Sequence, residues 1–182
     1  VGEFFINLYN KLVAKVNSVI AAIKAKQDMS KVIAKAKSSG KPKLDVKGYS
    51  YPFAKVAADA INKLDSAVDS ILQGKEYDVS DVMTDIETKM KGDEITSIRL
   101  SDAISTVMHF EQNISTIKKL LTSIKDLAKD AKSSGDATKV AKLKQLANVE
   151  VVLFNKTMSA ALADFKQARA VIVELAKQSV QE

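Results

Sequence analysis

The 182-residue chain has no cysteine, no tryptophan, one histidine, two prolines, six glycines and only two arginines among 28 basic residues. Each shortage excludes something. Without cysteine there is no disulfide and no thiolate metal site, while the redox compartment stays open, because a cysteine-free chain suits oxidising and reducing surroundings alike. With His109 as the sole imidazole, no second histidine or thiol stands ready as its partner in general acid–base chemistry, and Glu111, two positions along a helix, points elsewhere. Arg99 and Arg169 are too few for a shaped phosphate or base-reading site, where the guanidinium fork is preferred. Few prolines and glycines leave few places to break a helix. No apolar run approaches the roughly 20 residues of a spanning helix. The nearest, residues 4–8, is interrupted by Asn7 and lacks the basic leader and small-residue cleavage site of a secretion signal.

What remains is 46% apolar and 27% charged, the balance of a folded chain. Its length fits a single domain, residues 1–182, with a continuous core. The most telling stretch is Leu100, Ala103, Val107, Phe110, Ile114, Ile117, Leu121, Ile124, Ala128 and Ala131, an apolar stripe in steps of three and four. A second stripe runs Val140, Leu143, Ala147, Val151, Phe154, Met158, Ala161, Phe165, Ala168, Ile172 and Leu175. Gly135 and Asp136 act between them as adjacent stop and start signals. The spacing predicts helices over about 3–38, 52–73, 79–91, 94–133 and 137–180. Lys24, Lys26, Gln27, Asp28 and Ser30 interrupt the first, so a kink or break is expected there. Residues 40–51 read as a loop, with Pro42 forbidding helix and Pro52 suited to a first turn. The expected fold is therefore all-α: an elongated antiparallel four-helix bundle with a broken second helix. That reading requires Ile117 and Phe154 to be buried and no sheet to be present. Ala36-Lys37-Ser38-Ser39-Gly40 recurs as Ala131-Lys132-Ser133-Ser134-Gly135. The echo admits a duplicated helical hairpin, residues 1–92 and 93–182, or mere reuse of a good helix stop.

Charge is unevenly placed. Residues 1–47 carry ten lysines against three acids, 48–100 six basic against ten acidic, and 101–182 twelve against nine. The acidic middle either lies against a basic segment within the fold or leaves a basic face open to a polyanion. Lys37, Lys41, Lys43, Lys47, Tyr49 and Tyr51 alternate cations with rings, as in single-strand nucleic-acid binders, or form a solvated connector. Phe4, Phe5, Leu8 and Tyr9 offer more large apolar surface than one seam needs. They close the bundle end, dock on another subunit or anchor at a membrane interface.

No catalytic constellation emerges. There is no Gly-x-Ser-x-Gly turn, no Glu-x-x-His pair for a di-iron bundle and no phosphate-cradling loop around Ser38-Ser39-Gly40-Lys41. Asp78, Ser80, Asp81, Asp85 and Glu87 lack the mid-loop glycine and terminal glutamate of a calcium loop and fall instead on a helix. Neither enzyme activity nor a cofactor or metal is expected.

The chain begins at Val1 and finishes on Glu182, which resembles the product of a protease that cuts after glutamate. Together with its lysine-rich, cysteine-free helical composition, this resembles the internal head proteins of large tailed phages. The resemblance covers no motif and transfers no functional residue; it implies a place inside a phage capsid or in the host cytoplasm. The expected role is structural: a helical bundle acting through helix-face contacts with protein partners or with itself, as in a homodimer. One rival is a nucleic-acid-binding or packaging protein using non-specific lysine contacts. Another is a four-helix sensor or lipid-interacting domain, which demands a cavity or an exposed apolar groove.

Overall fold

The structure, a computed structural model, describes residues 2–25 and 29–180. Its axis is α8 (Ala137–Val180), 44 residues long and about 66 Å at 1.5 Å per residue. The second stripe is buried along it: Leu143, Ala147, Phe154, Met158, Ala161, Phe165, Ala168, Ile172 and Leu175, with Val140 and Val151 half-buried. Leu146, Val149, Leu153, Ala160 and Val171 are buried as well. A helix hidden on more than one face has neighbours on more than one side.

Those neighbours form two storeys. Around the first half of α8 and past its middle lie α1 (Gly2–Ala25), α3 (Phe53–Leu72), α4 (Ser80–Lys89) and α7 (Ser115–Ser134). α1 runs in the same direction as α8, with Lys144 over the Phe4 ring at 5.3 Å and Lys15 over Phe154 at 5.9 Å. α7 returns antiparallel through Gly135, whose φ of 62° is the left-handed conformation that glycine takes without a Cβ penalty. The repeated pentapeptide does the same chemistry twice. Ser38 and Ser39 donate to the carbonyls of Lys35 and Ala36, and Ser133 and Ser134 to those of Asp130 and Ala131.

Around the second half of α8 lie α2 (Ser30–Ser38), α5 (Leu100–Met108) and an antiparallel ribbon of β1 (Lys43–Ser50) and β2 (Asp93–Arg99). Lys43 pairs with Arg99, Leu44 with Ile98 and Tyr49 with Glu94. Between Asp45 and Gly48 a bulge sets two β1 residues against Thr96. Leu44, Val46, Ile95 and Ile98 are partly covered, while Lys43, Asp45, Lys47 and Tyr49 face out.

The ribbon corrects the all-α expectation. Residues 43–50 are a strand rather than a loop, and residues 94–99 are a strand rather than the start of a long helix. The physical reason is tertiary: Leu44 and Val46 on β1 and Ile95 and Ile98 on β2 are each partly covered, and cross-strand pairing satisfies backbone groups that neither segment satisfies alone. The helix expected over 94–133 is further divided. Backbone angles at His109 (φ −117°, ψ 31°) and Ile114 (φ −91°, ψ 7°) leave the regular helical range and set off the short α6 (Phe110–Asn113) from α5 and α7. The apolar stripe survives these breaks, since Val107, Phe110, Ile114 and Ile117 are all buried, and Phe154 on the second stripe is fully buried too. The break expected in the first helix falls between α1 and α2, with residues 26–28 outside the described residues, as are Val1 and Glu182. Among the described residues no helix is long and apolar enough to cross a membrane.

Candidate binding surfaces

Strand geometry sorts the six residues proposed for polyanion contact. Side chains alternate faces along β1, which puts Lys43, Lys47 and Tyr49 together on the outward side, with Arg99 directly across from Lys43. Asp45 and Glu94 share that side and dilute its positive charge. Lys41 turns away, its Nζ donating to Gln178 Oε1 on α8, and Lys37 stands on α2. Tyr51 is half-buried and lines a cleft with Met90 and Ala160, its ring 6.4 Å from that of Tyr49. Three of the six therefore form one strip, and three do other work.

The N-terminal cluster is mostly bundle. Phe5 is fully buried, with Phe4 edge-on to it at 5.3 Å between ring centres. Phe4, Leu8 and Tyr9 are half-buried against the core, and Lys125 covers the Tyr9 ring at 5.5 Å. Lysine stems close over these rings as snorkelling side chains do.

His109 sits exposed at the α5–α6 break, with Nδ1 3.2 Å from the Ser105 carbonyl oxygen. Glu111 instead pairs with Lys24 at 2.6 Å, and that ammonium holds its carboxyl below the usual range. In the acidic segment, Ser80 donates its backbone N–H and its hydroxyl to Asp78, while Lys63 and Lys89 bracket Asp85. These hydrogen bonds lower both carboxyl pKa values. The segment is thus a capped helix tied to its neighbour α3. Among the described residues no three His, Cys, Asp or Glu side chains are grouped to hold a metal ion.

Two carboxyls behave differently. Glu150 on α8 is 1% exposed and its Oε2 has no hydrogen-bond partner. Burial raises its pKa well above normal, and Asp65 on α3 and Asp126 on α7 push the same way. Asp164 is pushed up to about 6 by burial, against the opposing effect of the hydrogen bond it accepts from the Tyr51 backbone. It borders a cleft with Phe53, Phe110, Asn113 and Ala161. Glu150 lies three residues after Ala147 and four before Phe154, so the sequence itself carries the signal of an acid on the apolar stripe.

A last surface is an open groove of about 550 Å³ between the end of α1 and the middle of α8, walled mainly by Val19, Ile23, Leu162, Phe165 and Val173. Lys166 and Arg169 stand on its rim side, both exposed. Periodicity gave no hint of it, because a gap between two helices belongs to neither. No family model, curated protein or solved structure matches this chain.

Proposed function

We propose that the protein is a non-enzymatic structural component, a stiff helical rod that assembles with protein partners or with further copies of itself through its helix faces. The observation that supports this reading best is the 44-residue α8, buried by elements drawn from the whole length of the chain. Such a rod keeps its shape under load and presents long polar faces, studded with lysine, to its surroundings. The lysine-rich, cysteine-free composition shared with the internal head proteins of large tailed phages supports a place inside a virion. Sedimentation equilibrium over a hundredfold range of concentration tests the self-assembling form: masses above 19.7 kDa that rise with concentration are expected. A monomer throughout that also fails to cross-link to capsid or scaffold proteins sinks the proposal.

A second reading, non-specific nucleic-acid binding, draws support from the strip of Lys43, Lys47, Arg99 and Tyr49, with cations beside a 53% exposed ring. Its mark is affinity for single-stranded DNA that falls steeply with added salt. Undetectable binding at low salt removes it.

A further inference from the structure

α1 packs chiefly on α7 and meets α8 only lightly. The two parallel helices consequently part, and the groove beside Val19, Ile23, Leu162 and Val173 stays open. Its walls are apolar apart from Lys166 and Arg169, and neither cation has an ion-pair partner among the described residues. Residues three apart on a helix are surface neighbours, so both cations stand on the same side of the groove. An apolar channel with paired cations at one side is complementary to a molecule that is apolar along its length and anionic at its head.

From Leu162 to Val173 the helix advances about 16 Å at 1.5 Å per residue, so an extended alkyl chain of about a dozen carbons runs the length of the groove. Arg169, one of only two arginines in the chain, offers the planar fork that matches a carboxylate. We infer that the α1–α8 groove binds a single-chain fatty carboxylate, its head held between Lys166 and Arg169 and its alkyl chain lying over Val19, Ile23, Leu162 and Val173. This goes beyond the structural role and is independent of it.

The test is calorimetric titration of the full chain with dodecanoate below its micelle concentration, beside octanoate, dodecyltrimethylammonium, anionic phospholipid vesicles and an acidic amphipathic peptide. One dodecanoate per chain is expected, with affinity rising roughly tenfold for each two carbons added. The doubly charge-reversed K166E/R169E chain, altered only at exposed positions, should bind dodecanoate at least tenfold more weakly. Ala170→Trp, filling the groove from an exposed wall position, should abolish binding, and circular dichroism reports whether each variant is folded. Equal binding of dodecanoate and dodecyltrimethylammonium overturns the proposal, as does full affinity in the charge-reversed chain. So does binding of vesicles or the acidic peptide with none of dodecanoate.

Discussion

Replacing Glu150 should make the protein more stable at neutral pH, an unusual outcome for a change at a core position. The side chain is 1% exposed, Oε2 is unpartnered, and the charged groups that raise its pKa, Asp65 and Asp126, are both acidic. A buried polar atom left without a partner costs about 1–3 kcal/mol. The folded state holds the Glu150 proton more tightly than the unfolded chain does, so a further cost, absent below the unfolded carboxyl pKa, grows as pH rises toward the folded value. Glu150→Met, of similar length and apolar, should therefore gain about 1–3 kcal/mol at pH 8. For a chain of this size each kcal/mol moves the melting temperature by about 2–4 °C. Glu150→Gln, a stand-in for the protonated acid, should flatten the rise in stability between pH 8 and pH 5. Urea denaturation followed by circular dichroism at pH 5, 6, 7 and 8 measures both. Asp164, with its pKa of about 6, leaves a residual slope of the same sign, and adding Asp164→Asn should reduce it. A Glu150→Met protein less stable than the parent at pH 8, or a Glu150→Gln protein with the parent's pH slope, refutes the reasoning.

Other substitutions test the packing. Phe154→Ala empties a fully buried site beneath Lys15 and should cost about 3–5 kcal/mol, read as a lower urea midpoint. Gly135→Ala forces a Cβ into φ 62° at the α7–α8 turn and should lose about 1–2 kcal/mol, visible as a lower melting temperature with unchanged helix content. Lys63→Met breaks the pair with Asp85, both side chains being substantially exposed, and should leave the urea midpoint close to the parent's, with high salt erasing any difference.

Much of the helical framework could be read from residue spacing. The stripe from Val140 to Leu175, with Gly135-Asp136 ahead of it, predicts a helix over 137–180, and α8 has those bounds. Pro52 and Gly74 bracket α3 to within a residue at each end. The ribbon was missed for two reasons. Leu44 and Val46 alternate with polar neighbours, but two apolar positions are too few to outweigh Pro42 and Gly48. Ile95 and Ile98 are three apart, which is helical spacing, and they lead directly into Leu100. The same ambiguity hid the outward strip, because Lys43, Lys47 and Tyr49 share a face only once residues 43–50 are extended. His109 and Ile114 sit where the helix falters, yet the apolar stripe runs through both without a gap.

Periodicity is local. Which residues along one segment can share a covered face depends on the 3.6-residue turn, and that carried the apolar faces of the helices, with the bounds of α3 and α8, from sequence to structure. Pairing between β1 and β2, more than forty residues apart, depends on the tertiary fold bringing the two segments side by side. The opening between α1 and α8 and the isolation of Glu150 between Asp65 and Asp126 likewise arise only when distant segments are laid side by side. These are properties of the spaces between elements, and no single stretch of chain encodes them.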